Sequence, residues 1–155
     1  MLSLHAADAV EPGGGRPPVT GGAVLVDGDR IAAVGPLEEL AAAHPAARVR
    51  AWTGTVRAGR AEAAPQVLAA VPAGDSRERG EAVRRAVHGL LTRGVTAVTG
   101  EIADPVVRAA VARSGLRREA ASGLAAGARA DLAVFAPDGS CVATILAGRL
   151  VHRRA

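Results

Sequence analysis

Segments with the alternating apolar pattern of β-strands lie at both ends of the chain, and a segment with helical periodicity lies between them. The predicted strands span residues 2–6, 23–26, 31–34, 48–52, 131–135, 142–147 and 150–152. Because neither end has enough strands for a stable sheet of its own, we expect the N- and C-terminal strands to pair with each other. The pattern favours a discontinuous β-domain that is interrupted by a second structural unit.

The middle of the chain predicts a small α/β unit. A capping-box pattern at Asp75 and apolar residues at helical spacing predict a helix that ends at Gly94. Residues 95–98 predict a buried strand, and the Asp104-Pro105 pair starts a second helix that ends at Gly115. These elements form one helix-strand-helix unit.

Two further segments give weaker local signals. Pro36 suits the start of a short helix that runs to about residue 43. Residues 53–74 are rich in Ala, Gly and Pro and predict only a turn or two of helix at 66–71.

Glycines mark the predicted tight turns. The Asp27-Gly28-Asp29 turn between two apolar runs predicts a β-hairpin. The Pro137-Asp138-Gly139 turn separates two strands near the C-terminus. Gly148 at the start of a two-residue loop predicts a type II′ turn before the last strand.

The composition predicts a core of small aliphatic side chains. Hydrophobic residues make up 49% of the 155 residues, yet Trp52 and Phe135 are the only aromatic side chains apart from histidine. All nineteen basic residues are arginine, against fifteen acids, and the net charge is +4. Because the arginines are scattered in pairs without aromatic platforms for base stacking, we do not expect nucleic-acid binding.

Other sequence features bear on the compartment. The lone Cys141 excludes an internal disulfide and fits a reducing cytoplasm. Residues 1–10 lack the basic start of a signal peptide, and no apolar run is long enough to cross a membrane. A cytoplasmic protein without membrane contact is therefore expected.

Three motifs stand in an order that resembles the composite domain of the amidohydrolase superfamily. Residues 22–35 (GAVLVDGDRIAAVG) are similar to its opening hairpin, residues 123–135 (GLAAGARADLAVF) to its G-x-x-x-G-x-x-A-D-L segment, and residues 147–151 (AGRLV) to its terminal hairpin. The nearest likeness is to imidazolonepropionase and aminodeoxyfutalosine deaminase, which hydrolyse C–N bonds. Residues 86–98 resemble one helix-strand step of the family's barrel.

The resemblance implies a metal site whose ligands this sequence lacks. Family members carry two histidines after a Pro-Gly pair, and these bind a catalytic divalent metal. Here Ala58 takes the position of the proline, and Ala64 and Gln66 take those of the histidines. The bridging lysine of some relatives is absent because the chain has no lysine. Residues 60–122 are also far fewer than the roughly 250 of a closed barrel.

The remaining polar candidates have structural interpretations. The four histidines are widely spaced and are interpreted as solvated surface: His5, His44, His88 and His152. Cys141 is interpreted as a small buried side chain rather than a nucleophile. The carboxylates of Asp27 and Asp29 suit a hairpin turn, and that of Asp131 a strand entry. Glu62, Glu101 and Asp104 lie near places where barrel residues are expected, which is too little to name a mechanism.

The sequence thus predicts an α+β fold, in which a small β-sandwich of N- and C-terminal strands carries a short α/β insert in place of the (β/α)8 barrel. Residues 1–60 and 120–155 form the discontinuous composite domain, and residues 61–119 form the insert. No catalytic, cofactor-binding or metal-binding residue is assigned, and no cofactor is expected.

Three functions stay open from the sequence. The first is a truncated, non-hydrolytic binding or assembly module, with apolar faces that form a homodimer or a complex with another protein. The second is a divergent C–N hydrolase whose site is metal-free or completed by a partner. The third is a basic nucleic-acid-binding protein.

Overall fold

The computed structural model describes residues 1–68, 71 and 73–155 and has a mixed α+β architecture. Its strands are β1 (Leu2–Ala6), β2 (Ala9–Glu11), β3 (Val19–Thr20), β4 (Gly22–Asp27), β5 (Arg30–Pro36), β6 (Arg48–Ala51), β7 (Thr55–Ala58), β8 (Arg60–Ala63), β9 (Val95–Thr99), β10 (Leu132–Phe135), β11 (Cys141–Leu146) and β12 (Arg149–Arg153). Its helices are α1 (Leu37–Ala43), α2 (Ala64–Leu68), α3 (Ser76–Thr92) and α4 (Pro105–Ser114). The predicted α+β class is confirmed. Within the described residues, no helix has the length and hydropathy needed to cross a membrane.

One sheet is built entirely from the first third of the chain. Its strand order is β5-β4-β1-β6, with β1 antiparallel to β4 and parallel to β6. The β4–β5 pair is the hairpin that the Asp-Gly turn predicts, and Gly28 adopts a positive φ of 61° there. The hairpin prediction is confirmed.

The second sheet joins the two ends of the chain. Its strand order is β12-β11-β10-β7-β2-β3, so that β10 lies antiparallel to β7, and β7 lies parallel to β2. The expected pairing of N- and C-terminal strands is therefore confirmed. The sequence did not predict β2, β3 and β7, because runs of two to four residues are too short to show an alternating pattern.

Both larger sheets contribute side chains to one apolar core. Val24, Val26 and Ile31 come from the β4–β5 hairpin, while Val56 and Leu132 come from the second sheet, and all five are at most 1% exposed. Aliphatic side chains of this size interdigitate without aromatic residues, as the composition predicts. The two sheets thus pack against each other through Val, Ile, Leu and Ala.

The α/β unit has a second apolar core, to which Leu146 of β11 also contributes. α3 and α4 pack on β9 through buried side chains that include Val83, Leu90, Val98 and Val111. The Asp75 carboxylate accepts a 2.9 Å hydrogen bond from the backbone N–H of Glu78, and this bond caps α3 as predicted. Both predicted helices of this unit are confirmed, while its boundaries at residues 61 and 119 stay a prediction.

Two local predictions are corrected by the structure. The loop between β11 and β12 has positive φ at both Ala147 and Gly148, which indicates a type I′ turn rather than type II′. Residues 53–74, to which the sequence assigns no structure apart from the helix at 66–71, contain β7 and β8, and that helix begins earlier, at Ala64. Part of that predicted helix lies outside the described residues. Alanine and glycine gave this segment no periodic signal, and its strand pairs are formed with distant parts of the chain.

The buried Thr96 hydroxyl predicts a stabilising substitution. Thr96 is fully buried on β9, and its Oγ1 has no hydrogen-bond partner among the described residues. We expect Thr96→Val to raise the free energy of unfolding by about 1 kcal/mol, because it removes an unsatisfied polar atom and keeps the shape. Urea unfolding measures the change.

Thr144→Val is the matched control for that substitution. Thr144 is equally buried, but its Oγ1 donates a 2.6 Å hydrogen bond to the carbonyl of Leu91. Thr144→Val should lower the free energy of unfolding by about 1 kcal/mol, because it removes this hydrogen bond. Equal destabilisation by both variants would contradict the interpretation of Thr96.

Candidate functional site

Residues 64 and 66, which the resemblance places at the positions of two metal-binding histidines, lie where β8 meets α2. Ala64 is 1% exposed and packs in the apolar core of the α/β unit. A methyl group offers no lone pair to a metal, and its neighbours in this cluster are aliphatic side chains. Gln66 follows within α2. The side chain at residue 64 and its apolar neighbours therefore offer no ligand for a divalent metal.

The three acidic candidates do not converge. The Glu62 carboxylate forms an ion pair with Arg93 at 2.9 Å. Asp104 caps α4 by accepting a hydrogen bond from the Val106 N–H, and its other oxygen pairs with Arg79. Glu101 is exposed. In the part of the chain that the structure describes, no group of three or more His, Cys, Asp or Glu side chains could hold a metal.

The interpretation of the histidines as solvated surface is wrong for His5. This side chain is only 2% exposed, because β1 is an inner strand of its sheet. Its ring lies parallel to that of Trp52, with 6.3 Å between centroids, and the indole Nε1–H of Trp52 donates to His5 Nδ1 at 3.3 Å. His88 is exposed, while His44 and His152 are half-buried. Strand alternation alone could not show that both faces of this sheet are covered.

Burial of His5 predicts a loss of stability in acid. Desolvation, with a smaller contribution from the Arg50 charge, lowers the pKa of His5 from 6.5 to about 4. Below pH 6.5 the unfolded chain binds a proton that the folded chain rejects, so stability falls as the pH falls from 6.5 towards 4. We expect this residue to contribute a loss of about 2 kcal/mol between pH 7 and pH 5.

The test of the His5 prediction is urea unfolding of wild type and His5→Gln across pH 4–7. Glutamine can accept from the Trp52 N–H but does not titrate in this range. The variant should therefore show a shallower dependence on pH than the wild type. An unchanged slope would contradict the assignment to His5.

Cys141 is a buried side chain on β11, as the sequence predicts. Its Sγ lies 3.4 Å from both the Ala143 carbonyl and Thr144 Oγ1, and it packs near Phe135. The surroundings of the thiol match a small apolar side chain rather than a nucleophile.

The aspartates of the first hairpin are exposed turn residues. Asp27 lies 4.0 Å from the N-terminal amine, and Asp29 lies 3.7 Å from Arg30 Nε. Both carboxylates are more than 60% exposed, so neither ion pair adds much to stability. Their predicted role as turn formers fits this position.

The three family-like motifs meet at one place, the motif junction, which comprises residues 28–31, 127–131 and 146–149. The Ala130 N–H donates to the Asp29 carbonyl at 2.8 Å, and the Ala130 carbonyl accepts from the Gly148 N–H at 2.9 Å. A Cβ on Gly148 would lie 1.9 Å from the carbonyl oxygen of Gly28. The motifs therefore build a contact between the tips of two hairpins.

Asp131 is the charged centre of the motif junction. Its side chain is fully buried, and Oδ1 accepts a 2.9 Å hydrogen bond from the Ala147 N–H in the β11–β12 turn. Arg129 Nε lies 3.1 Å from Oδ1, and Arg117 lies 3.7 Å from Oδ2. The Arg129 contact is an ion pair without hydrogen-bond alignment, since Arg129 Nε has no directed partner among the described residues. These contacts of Asp131 fit the strand-entry interpretation, because the residue directly precedes β10 and binds the neighbouring turn.

A cavity beside the motif junction gathers four arginines. Its volume is about 770 Å³, and its lining residues include Arg30, Arg117, Arg118 and Arg129, with Glu119 as the one acidic residue. We call it the arginine cavity. Isolated backbone β-bridges pair Arg30 with Arg129 and Ala97 with Arg117. These hydrogen-bonded pairs bring the distant segments together.

Sequence reasoning missed the arginine cavity. The arginines are scattered along the chain as predicted, but the fold concentrates four of them. The sequence signals that could have indicated it are the Arg117-Arg118 pair, which begins two residues after the helix-ending Gly115, and Arg129 inside the second motif.

The comparisons with known proteins agree with the motifs. Residues 22–47 match the imidazolonepropionase-like composite domain of bacteria. No curated protein sequence matches the chain. The fold is similar to E. coli guanine deaminase, with a TM-score of 0.58 and 15% identity over 76% of this chain and 35% of that one.

Two further solved structures show the same likeness. Guanine deaminase from Bradyrhizobium japonicum has a TM-score of 0.56 and 19% identity over 73% of this chain and 33% of that one. A zinc-bound adenosine deaminase from Xanthomonas campestris has a TM-score of 0.54 and 18% identity over 76% and 33%. The chain spans about a third of the length of these structures. Residues 22–47 are therefore similar to an imidazolonepropionase-like composite domain, as the opening hairpin motif predicts, and the chain shares the fold of these deaminase structures.

Proposed function

We propose that this chain is a non-hydrolytic relative of the C–N hydrolases that acts as a binding or assembly module. The observation that carries the proposal is the buried alanine at residue 64, where the family pattern requires a metal ligand. The motifs that the chain retains build the motif junction, which is a structural contact between hairpins. The retained part of the family pattern thus supports the scaffold rather than the hydrolytic chemistry.

The acidic side chains of the α/β unit add support. Glu62 and Asp104 are each engaged by an arginine, and Asp104 also caps a helix. A general acid or base must present a titrating oxygen to a substrate within hydrogen-bond distance. Carboxylates held by arginine and by a helix N-terminus are poorly placed for that role.

The proposed partner is a second copy of this chain or another protein. The expected apolar faces on the α/β unit are not seen, since the exposed large hydrophobic side chains among the described residues are Met1 and Val49. β8 pairs with β9 along one edge, and three of its four residues are exposed. An open strand edge of this kind supports assembly through backbone pairing.

An assay of ammonia release tests the proposed lack of hydrolysis. Guanine and adenosine are the substrates named for the similar structures, and the assay contains the purified chain with added zinc. We expect no release above the rate without protein. Ammonia release that is abolished by a chelator would contradict the proposal.

A further inference from the structure

We propose that the arginine cavity binds a small molecule that carries a phosphate group. This inference names a ligand class for the binding role proposed above. Four arginines line the cavity, against one lining acidic residue, Glu119. Guanidinium groups recognise phosphate oxygens through paired, charge-assisted hydrogen bonds.

The positive charge of the cavity is only partly compensated by its surroundings. Arg117 and Arg129 share the single negative charge of the buried Asp131, so that one of their two charges is left over. Arg30 meets Asp29 at 3.7 Å in an exposed pair, where water screens the interaction. Arg118 donates one N–H to the Gly100 carbonyl and keeps its charge. An anion in the cavity would supply the missing compensation.

The donors in the cavity exceed the acceptors that the protein provides. Each guanidinium has five N–H groups, and the contacts made by Arg30 and Arg118 use few of them. Residues 118–123 line the cavity without forming a helix or a strand, so their backbone N–H groups are not committed to regular structure. Backbone N–H groups beside arginine form a common setting for phosphate.

Size and composition favour a small molecule over nucleic acid. A volume of about 770 Å³ falls within the range of small-molecule pockets. Neither aromatic side chain that could stack on a base, Trp52 or Phe135, lines the cavity. We therefore expect compact phosphate compounds to bind rather than extended strands.

Calorimetric titration with inorganic pyrophosphate at fixed ionic strength tests the inference. Arg118→Gln and Arg30→Gln each remove one exposed guanidinium and do not touch Asp131, so both variants should fold, which circular dichroism verifies. Arg85→Gln is the control, because it removes the same charge from an exposed position on α3 outside the cavity. We expect wild type to bind, each cavity variant to raise the Kd about tenfold, and the control to stay within about twofold.

Three results would overturn the inference. These are no binding by wild type at about 1 mM pyrophosphate, an equal loss of affinity in Arg85→Gln, and displacement of pyrophosphate by a single-stranded oligonucleotide of higher affinity. Hydrolysis of guanine or adenosine would contradict the proposed function without bearing on this cavity, since Ala64 does not line it. The two proposals can therefore fail separately.

Discussion

Gly148→Ala is expected to lower the free energy of unfolding by about 4 kcal/mol, which is a large part of the stability of a typical domain. Gly148 has a φ of +79°, which L-residues rarely adopt. An added Cβ would lie 1.9 Å from the Gly28 carbonyl oxygen, a backbone atom that cannot move without shifting the β4–β5 hairpin. The substitution would therefore separate the two hairpin tips at the motif junction. Urea or thermal unfolding measures the change.

Gly127→Ala is the matched control for Gly148→Ala. Gly127 also lies in a family-like motif and has a φ of +87°, but a Cβ there would meet no atom within 4 Å. Gly127→Ala should lower the free energy of unfolding by only about 1–2 kcal/mol, which is the cost of placing an L-residue at a positive φ. If the two variants lost equal stability, the contact between hairpin tips would not be the reason for glycine at position 148.

Asp131→Ala is expected to lower the free energy of unfolding by about 3 kcal/mol. The substitution removes the acceptor for the Ala147 N–H and the shared counter-charge of Arg117 and Arg129. The loss falls at the lower end for a broken buried ion pair, because both arginines are at least a quarter exposed and keep some hydration. Asp131→Asn keeps a carbonyl oxygen for Ala147 and should lose about half as much.

Asp29→Ala is the control for the charge at Asp131. The Asp29 carboxylate is 64% exposed, and only its backbone carbonyl takes part in the motif junction. Its removal should change stability by less than about 0.5 kcal/mol. Comparable losses in Asp29→Ala and Asp131→Ala would contradict the assignment of Asp131 as the charged centre of the junction.

Much of the fold could be predicted because its signals are local. The Asp-Gly turn specifies the β4–β5 hairpin through the positive φ of Gly28, and the side chains of Asp75 and Asp104 specify where α3 and α4 begin. Each of these signals acts within a few residues. The strands β7 and β8 were missed because alanine and glycine dominate their segment, and their pairing partners lie far away along the chain.

The candidate sites were harder to predict from the sequence than the fold, because their burial and shape depend on contacts between distant segments. The absence of histidine at residues 64 and 66 could be recognised through the resemblance to a motif, because the two histidines of that motif lie close together in sequence. The burial of His5 could not, since it depends on the strands on either side of β1 and on the Trp52 ring. The arginine cavity likewise arises from residues that are separated by up to about a hundred positions and joined by tertiary bridges.

The buried Ala64 and the motif junction support the same functional proposal from two sides. Ala64 lies where the motif that the chain resembles has a metal ligand, and the hydrogen bonds of the motif junction fit a structural role for the retained motifs. A scaffold of this kind can bind a ligand or a partner without catalysing a reaction. The arginine cavity, at the edge of the motif junction, gives it a candidate binding surface.

Elemental metal analysis of the purified protein tests the proposed loss of the metal centre most directly. The protein would be expressed with zinc and iron available and then desalted. We expect far less than one metal ion per chain, because the described residues offer no group of ligands that could retain one. About one tightly held ion per chain would contradict the proposal and would require ligands other than Ala64 and its apolar neighbours.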